Sequence, residues 1–318
     1  MGMNTHRKIR IGTRGSPLAM AQAHEMRDRL IAAHPALAEE GRLEIVEVKT
    51  TGDRILDRPL SEIGGKALFT KELDDAMLRD DIDIAVHSMK DVETNLLDGI
   101  VLPAMLPRED VRDAFLCLNA SSIATLKQGA VVGTSSLRRG AQIKARRPDI
   151  QVVNFRGNVQ RRLEKLHAGE VDATMLAMAG LNRLGMAEKA TAALEPDEML
   201  PAVGQGAIGL TCRAEDAEAI ALAESLNHLP TYTCVIAERA FLRRLDGSCR
   251  TPIGGWCRFT GPDTIRFDGL VVRHDGTGLL ETSREGAAAD ARALADDAGQ
   301  ELRSQCGPDY FIMSTSTE

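Results

Sequence analysis

The chain is poor in aromatic residues and lacks any long apolar run. Only 3% of its 318 residues are aromatic, which argues against a protein that stacks nucleic-acid bases on aromatic side chains. No apolar run reaches the roughly 20 residues that a membrane-spanning helix needs. The first ten residues lack the apolar core of a signal peptide, so the sequence predicts a cytoplasmic protein without a membrane partner.

The six cysteines show neither a Cys-x-x-Cys pair nor metal-ligand spacing with the histidines. We therefore predict no metal site, and free thiols in a reducing compartment for five of them. The formal net charge of −7 argues against general nucleic-acid binding. With 43% hydrophobic and 27% charged residues, the composition is typical of a globular protein, and the length allows two or three domains.

A faint internal repeat organises the first two thirds of the chain. Residues 10–18 and 130–138 each read as a short strand, a turn with Gly or Ser, and the start of a helix. The predicted second and third strands of the two copies are 44–48, 81–85, 149–153 and 170–174. Helices are predicted at about 17–33, 71–79, 137–147, 159–167, 217–225, 233–244 and 287–305. Strands that alternate with helices predict parallel sheets.

Two copies predict two similar α/β domains of the periplasmic-binding-protein kind around a cleft, which is the default ligand site. Residues 201–211 read as a crossing segment plus a strand that returns to the first domain. A hairpin is predicted from 264–272 and 278–282, and the last helix is expected to end at Gly307 as a C-cap. The predicted domains are 1–106 with 207–226 (domain 1, α/β), 107–206 (domain 2, α/β) and 227–318 (a small α+β domain 3).

The first copy carries 16 more residues than the second before its third strand. They fall in the charged segment 51–66, which contains a Gly-Gly pair and no clear periodicity. A long loop inside a compact domain is often a lid or is disordered. We predict a mobile lid close to the cleft.

A polar cluster follows the predicted third strand of the first copy, at His87, Ser88, Lys90 and Asp91. Ligands of open α/β sheets lie at the carboxyl ends of the strands. A Lys-Asp pair at this place can bind an anion and handle a proton. The alternative for Asp91, from its residues alone, is the N-cap of a following helical turn.

A basic stretch from Arg138 to Lys165 contains nine basic residues and only two acidic ones. On an acidic protein, such a concentration points to an anionic ligand, with nucleic-acid binding as the weaker alternative. Within it, Arg146 and Arg147 are predicted to be the solvated end of a helix, favourable to its dipole.

Six segments occur in an informative order. They are Gly12-Thr-Arg-Gly-Ser-Pro-Leu-Ala19, His87-Ser-Met-Lys-Asp91, Gly133-Thr-Ser-Ser-Leu-Arg-Arg139, Phe155-Arg-Gly-Asn158, Leu200-Pro-Ala-Val-Gly-Gln-Gly-Ala207 and Gly247-Ser-Cys249. Together they resemble the hydroxymethylbilane synthase family, also called porphobilinogen deaminases, over essentially the whole chain. The resemblance implies a transferase of porphyrin biosynthesis that condenses four porphobilinogen molecules head to tail with loss of ammonia, and releases a linear tetrapyrrole with water.

The resemblance also implies a dipyrromethane cofactor, held through a thioether to Cys249. A soft thiol suits this role because it traps an electrophilic carbon, and the thioether survives many turnovers. Without the resemblance, a buried or idle thiol is the commoner fate of a lone cysteine. Asp91 matches the catalytic aspartate, which would protonate the leaving amine, stabilise the cationic intermediate and accept the α-proton. Such proton handling contributes typically ~10²–10⁴ in rate.

Arginines suit the binding of a product that gains carboxylates with each added pyrrole. Each hydrogen bond between a guanidinium and a carboxylate contributes roughly 1.5–3 kcal/mol. The cofactor-binding positions implied by the resemblance are Ser88, Lys90, Ser136, Arg138, Arg139, Arg156, Asn158 and Arg162. The implied substrate-binding positions are Arg14, Arg156, Arg162, Arg183 and Gln205. Lys66 and Phe69 match residues at the base of the mobile loop.

Three positions depart from the family's pattern, namely Glu62, Glu93 and Ser248, and none of them removes a catalytic group. The family suggests a monomer whose partners are porphobilinogen and the growing oligopyrrole, without nucleic acid. The alternative function is a two-domain cleft protein that binds an anionic small molecule without catalysis. Neither Cys249 nor a third domain is needed for that role.

Overall fold

The computed structural model describes residues 7–54, 67–245 and 251–311, without the side chains of residues 53, 54, 67–69 and 309. The chain divides into two compact units. The first contains the described residues up to 54, 67–109 and 206–232, and the second contains 110–205 and the described residues from 233 onward. The chain therefore leaves the first unit after Glu109 and returns to it at Gly206.

The first unit is built on a five-stranded sheet in the order β2-β1-β3-β10-β4. Its strands are β1 (Ile9–Arg14), β2 (Leu43–Val48), β3 (Ile84–Ser88), β4 (Ile100–Met105) and β10 (Ile208–Arg213). β1, β2 and β3 run parallel, whereas β10 is antiparallel to both of its neighbours. The strands predicted for the first copy are therefore parallel, as expected, but the sheet as a whole is mixed.

The second unit contains a sheet of the same design, in the order β7-β6-β8-β5-β9. Its strands are β5 (Asp113–Cys117), β6 (Val131–Gly133), β7 (Gln151–Val153), β8 (Ala173–Ala177) and β9 (Ala192–Leu194). β6, β7 and β8 are parallel, and β5 is antiparallel to β8 and β9. In each sheet the antiparallel fourth strand is the one that enters directly after the chain changes units.

The internal repeat is confirmed at the level of single hydrogen bonds. An aspartate precedes the third strand of each copy and accepts a hydrogen bond from a backbone N–H of the first strand. Asp83 accepts from Arg10 N, and Asp172 accepts from Val131 N, both at 2.8 Å. Because these aspartates stand in the turns, β3 and β8 begin three residues later than their apolar patterns predicted.

The helices are α1 (Pro17–Ala33), α2 (Thr51–Arg54), α3 (Ala67–Leu78), α4 (Leu137–Arg146), α5 (Val159–His167), α6 (Met178–Arg183), α7 (Ala217–Glu224), α8 (Leu229–Leu245) and α9 (Ala291–Gln305). Ser16 and Ser136 cap α1 and α4 in the two copies through side-chain oxygens. Such caps typically stabilise by about 1 kcal/mol. Among the described helices, none combines the length and the apolar character that crossing a membrane requires.

The connection from second to third strand spans 35 residues (49–83) in the first unit and 19 (154–172) in the second. The difference is the 16 residues expected from the sequence. α2 occupies the start of the predicted lid, and the rest of the lid lies outside the described residues.

The C-terminal part forms an antiparallel sheet of β11 (Ile253–Phe259), β12 (Thr264–Val271) and β13 (Leu280–Ala287). The hairpin of β12 and β13 is confirmed, while β11 was not predicted. Phe241 of α8 packs on Phe267 of β12, with ring centroids 4.8 Å apart, at the centre of an apolar core. The C-cap prediction for Gly307 is wrong, because α9 is capped by Cys306 and the φ of Gly307 is −74°.

Candidate active site

Four predicted residues lie at the carboxyl ends of parallel strands in the first unit. Arg14 ends β1, and Ser88 ends β3. Lys90 and Asp91 follow in a single 3₁₀ turn, Met89–Asp91. Because β1 and β3 are paired neighbours, their ends meet at one edge of the sheet. The first unit thus brings together the cationic and acidic groups that the sequence analysis singled out.

The 3₁₀ turn holds Asp91 half-buried with its carboxylate uncommitted. Met89 is 2% exposed and anchors the turn, and its N–H donates to the carbonyl of Ala207 at 3.0 Å. Within the described residues, no hydrogen bond or ion pair engages the Asp91 carboxylate. The N-cap alternative is wrong, because Asp91 lies inside the turn and caps no helix. A carboxylate in this state is available to a ligand.

The neighbours of Asp91 are held by buried polar side chains that the sequence analysis did not single out. Gln22 of α1 is 4% exposed and hydrogen-bonds Ser88 Oγ through Nε2 at 2.8 Å. His87 Nε2 lies 2.9 Å from Thr211 Oγ1 of β10. In the sequence, Gln22 is one polar residue on an amphipathic helix, and no local signal separates it from a surface glutamine.

In the second unit, the equivalent sheet edge leads into three helix N-termini. β6, β7 and β8 are followed by α4, α5 and α6. Ser136 and Asn158 cap α4 and α5 by accepting from the N–H groups of Arg139 and Arg161. Helix N-termini favour anions because their first N–H groups lack intrahelical partners.

Three further predicted arginines lie along this part of the second unit. Arg156 is half-buried in the loop before α5. Arg162 lies in α5, and its Nε donates to the carbonyl of Gly157 at 2.9 Å. Arg183 is the last residue of the six-residue α6, so it stands at the far end of that helix from the N-terminus.

Arg138 and Arg139 are almost fully buried and share one carboxylate, Asp113. Arg138 Nη2 donates to Asp113 Oδ2 at 2.7 Å, and Arg139 donates to Oδ1 from Nη2 at 2.7 Å and from Nε at 3.1 Å. The remaining contacts go to carbonyls, from Arg138 Nη1 to Leu200 at 2.7 Å and from Arg139 Nη1 to Met175 at 2.9 Å. We call these three side chains the Asp113 cluster.

The charges in the Asp113 cluster do not cancel. Burial alone would raise the pKa of Asp113, but the charges of Arg138 and Arg139 and the hydrogen bonds it accepts hold this pKa well below its ordinary value. Burial lowers the pKa of Arg138, but from a starting value so high that the guanidinium stays charged. Two cations and one anion therefore leave a buried net charge of about +1.

Gln205 is 1% exposed and belongs to the same network. Its Nε2 donates to Asp113 Oδ1 at 2.9 Å and to the carbonyl of Val111 at 2.7 Å. Gln205 therefore joins two segments of the second unit: its own segment, where the chain leaves the unit, and the segment of Val111 and Asp113, where the chain enters it. The sequence analysis missed Asp113, whose only local signal is an acidic residue directly before the apolar run Ala-Phe-Leu.

The basic stretch from residue 138 to residue 165 is largely compensated by local partners. Arg147 pairs with Asp149 and donates to three backbone carbonyls, so the prediction that it is solvated is wrong. Arg146 is exposed, as expected. Arg161 pairs with Glu164, and Lys165 with Glu170. The cations that remain for an anionic ligand are therefore fewer than the sequence count suggests.

Several predicted residues fall outside what the structure describes. Cys249 and Lys66 lie in undescribed segments, as do Glu62 and Ser248, and of Phe69 only the backbone in α3 is described. The other five cysteines are free thiols, as predicted. Within the described ranges, no three His, Cys, Asp or Glu side chains gather as metal ligands.

Comparison with known families gives two matches that together span most of the chain. The family described as "Porphobilinogen deaminase, dipyromethane cofactor binding domain" matches residues 9–221. The family described as "Porphobilinogen deaminase, C-terminal domain" matches residues 232–304. The boundary between the two matches falls close to the start of α8.

Similar proteins are found in plants and bacteria. The chain is 58% identical over 306 residues to the chloroplastic porphobilinogen deaminase of Oryza sativa, covering 95% of this chain and 85% of the relative. It is 57% identical to the porphobilinogen deaminase of Paracoccus denitrificans, covering 96% and 97% of the two chains.

Among solved structures, similar chains include a periplasmic substrate-binding protein of an ABC transporter from Coxiella burnetii, with a TM-score of 0.40 and 14% identity. It covers 72% of this chain and 94% of that one. A YaeC-family lipoprotein from Enterococcus faecalis has a TM-score of 0.41 and 13% identity, over 70% and 92% of the two chains.

Proposed function

Because the chain belongs to the porphobilinogen deaminase family, we propose that the polar residues at its two sheet edges carry out the reaction of that family. This reaction is the stepwise, deaminating, head-to-tail condensation of four porphobilinogen molecules into a linear tetrapyrrole, released by water. The observation that carries the assignment of residues is the buried arginine pair Arg138 and Arg139. Its net positive charge suits a ligand that is itself a polycarboxylate.

The Asp113 cluster fits the dipyrromethane cofactor that the matched family binds. The Nε of Arg138 is buried and has no acceptor among the described residues. A buried donor without an acceptor costs about 1–3 kcal/mol, and an acidic ligand would remove that cost. When bound, the cofactor supplies the pyrrole carbon to which the first substrate is joined. We assign its carboxylates to the residues Ser88, Lys90, Ser136, Arg138, Arg139, Arg156, Asn158 and Arg162.

We assign the covalent attachment of the cofactor to Cys249. The described thiols support this choice by their surroundings, because Cys212, Cys234 and Cys257 are buried. Burial raises the pKa of Cys212 to about 12, which opposes formation of the reactive thiolate. In the resemblance to the family, the motif Gly247-Ser-Cys249 identifies Cys249 as the attacking thiol.

Asp91 is the proposed proton carrier of the condensation. Each step breaks the bond between carbon and the leaving amine, forms one carbon–carbon bond and removes one proton from a pyrrole ring. Asp91 donates a proton to the departing amine and takes one back from the ring, so the protein ends each step unchanged. Its half-buried carboxylate, which has no hydrogen bond or ion pair within the described residues, supports this role.

The remaining assignments concern the substrate and the growing chain. Arg14, Arg156, Arg162, Arg183 and Gln205 are proposed to bind porphobilinogen and the oligopyrrole. Charge-assisted bonds from these arginines would hold the acetate and propionate groups that each added pyrrole brings. Lys66 and Phe69 are proposed to act from the base of the lid.

We also propose the three-domain division expected from the sequence, at 1–106 with 207–226, 107–206 and 227–318. The separate antiparallel sheet of β11, β12 and β13 supports domain 3. A monomeric state, a cytoplasmic location and the absence of nucleic-acid partners likewise remain predictions. Size-exclusion chromatography with light scattering tests the first of these.

The intact mass of the purified protein tests the proposed function. We expect an excess equal to two linked pyrrole units in the wild type and none in Cys249→Ser. Asp91→Asn should be loaded with the cofactor, or loadable with it, but lose at least ~10²-fold in turnover, because it keeps the binding residues and loses the proton carrier.

Two results would contradict these assignments. Near-normal turnover by Asp91→Asn would remove its proposed role. A wild type that shows no excess mass, and gains none when incubated with porphobilinogen, would instead favour an anion-binding protein without catalysis.

A further inference from the structure

Asp113 is an acidic side chain of the second unit whose two oxygens are both engaged. It is fully buried, and its two oxygens accept four hydrogen bonds from Arg138, Arg139 and Gln205. β5 is antiparallel to β8, so Asp113, the first residue of β5, stands beside Ala177, the last residue of β8. It therefore lies at the sheet edge to which the cofactor-binding positions are assigned.

The two arginines of the cluster are held to different extents. All three nitrogens of Arg139 donate to protein acceptors, namely Asp113 and the carbonyl of Met175. Arg138 donates from Nη1 and Nη2 only, while its Nε is buried without a partner among the residues that the structure describes. Asp113 thus takes up N–H groups of both arginines, while the Nε of Arg138 remains for a ligand.

Asp113 is unsuited to proton transfer itself, since its low pKa keeps it ionised throughout the neutral range. Nor does it neutralise the cluster, because one carboxylate opposes two guanidiniums. A buried arginine pair without it would carry a net charge of about +2 and would repel itself in a medium of low polarity. The two side chains could then keep their present positions only at a large cost.

We propose that Asp113 is a positioning residue for the cofactor: together with Gln205, it fixes the guanidiniums of Arg138 and Arg139 so that Arg138 presents its spare Nε–H to a cofactor carboxylate. This inference rests on the proposed function. It distinguishes Arg139, each of whose nitrogens already donates within the protein, from Arg138, whose Nε does not. It also gives Gln205 a role inside the protein, through Asp113 and the carbonyl of Val111.

The test is the rate at which apoprotein gains the mass of the cofactor from porphobilinogen. Apoprotein of the wild type and of Asp113→Asn is incubated with porphobilinogen well below the thermal unfolding midpoint of each, and intact masses are recorded over time. We expect loading of Asp113→Asn to be at least ~10-fold slower, which corresponds to the loss of about 1.4 kcal/mol in one charge-assisted contact. A merely structural role would lower the unfolding midpoint but leave the loading rate of the folded protein unchanged.

Asp149→Asn is the matched control. Asp149 also receives two hydrogen bonds from one arginine of the second unit, Arg147, at 2.8 Å and 2.7 Å, but is not assigned to the cofactor. Its variant should load at the rate of the wild type. Equal loading by Asp113→Asn and Asp149→Asn would overturn the proposal.

A second variant decides the case if Asp113→Asn does not fold. Gln205→Met keeps the size of the side chain and both arginine–carboxylate pairs, but removes the amide donor to Asp113. We expect loading to be slowed a few-fold, and loading at the wild-type rate would overturn the proposal. Failure of the wild type to gain the mass would contradict the proposed function, whereas equal gain by wild type and variants would contradict this inference alone.

Discussion

Two aspartates at equivalent sheet edges differ in what surrounds their carboxylates. Asp91 has no hydrogen bond or ion pair within the described part of the chain, whereas Asp113 accepts four hydrogen bonds. A carboxylate held ionised by two guanidiniums cannot exchange protons near neutral pH. At the scale of single residues, the roles proposed for Asp91 and Asp113 therefore differ because of their hydrogen-bond partners, since both residues are aspartates.

A third aspartate gives a pH-dependent prediction. Asp74 of α3 lines a small pocket in the first unit with Thr70, His87 and Glu93. Burial, together with the charges of Asp75 and Glu93, raises the pKa of Asp74 to about 6, against the hydrogen bond from Thr70. Because this pKa lies above the unfolded value, the contribution of Asp74 to stability is present at acid pH and is lost as the pH rises through about 6.

We therefore predict that Asp74→Asn stabilises the protein above pH 6 by about 1–2 kcal/mol, which is below the ~3 kcal/mol of the full shift because solvent screens this partly exposed group. The gain should shrink towards zero below about pH 4, where the aspartate is protonated in both states. Thermal unfolding midpoints of wild type and variant, recorded across this range, check the prediction. A difference that does not change with pH would contradict it.

At the scale of elements, the antiparallel strands β5 and β10 decide which residues reach the site. Each follows a change of unit and pairs with the third parallel strand of its sheet. The first residue of β10, Ile208, pairs with Ser88, as Asp113 of β5 pairs with Ala177. The second unit has an aspartate where the first has an isoleucine. The copies therefore share a topology but differ in charge at the same edge.

The close approach of β6 to the loop after β7 gives a prediction for Gly133. A Cβ at this position would lie 2.6 Å from Cγ and 2.9 Å from Cβ of Phe155, which is 3% exposed and precedes Arg156. Gly133→Ala should destabilise the protein by about 1–3 kcal/mol, because the Phe155 ring and its backbone must shift. It should also slow cofactor loading, since the displaced loop carries Arg156 and Asn158.

The matched control is Gly261→Ala, whose Cβ would meet only Thr264, at an ordinary 3.8 Å. Its unfolding midpoint should stay within about 0.5 kcal/mol of the wild type. Chemical denaturation of the two variants compares them directly. An equal effect at both glycines would show that contact with Phe155 does not matter.

At the scale of the whole molecule, charge is organised by local pairing rather than as one basic surface. The net charge is −7, and the cations of the stretch 138–165 are largely engaged by nearby acids and carbonyls. We predict that the protein does not bind duplex DNA measurably at low salt. Fluorescence anisotropy with a labelled duplex is the measurement, and steeply salt-dependent binding would contradict it.

Some features followed from the sequence because they are local. Helix α1 and helix α5 have the predicted bounds, since Ser16 and Asn158 are recognisable N-caps. The repeat and the extra length of the first copy also lie in the order of residues alone. The motif that ends in Asp91 was found because a buried strand leads directly into it.

Other features needed contacts between distant residues. β5 pairs with β8 across about sixty residues, and no strand was predicted at its position. Asp113 meets Arg138 and Arg139 across sequence separations of 25 and 26 residues, and Gln205 across 92. No pattern in the chain marks these partners, because each is an ordinary residue of its own segment.

The sequence by itself determined the α/β class, the duplicated order of elements, the family and the candidate residues. Residue type and local spacing carry that information. Only the tertiary structure decided that the sheets are mixed, that Arg147 is taken up by Asp149 and backbone carbonyls, and that Arg138 Nε has no partner among the described residues whereas every nitrogen of Arg139 donates. The physical reason is that hydrogen-bond partners and burial are set by which strands and helices pack together, and packing joins residues far apart in the chain.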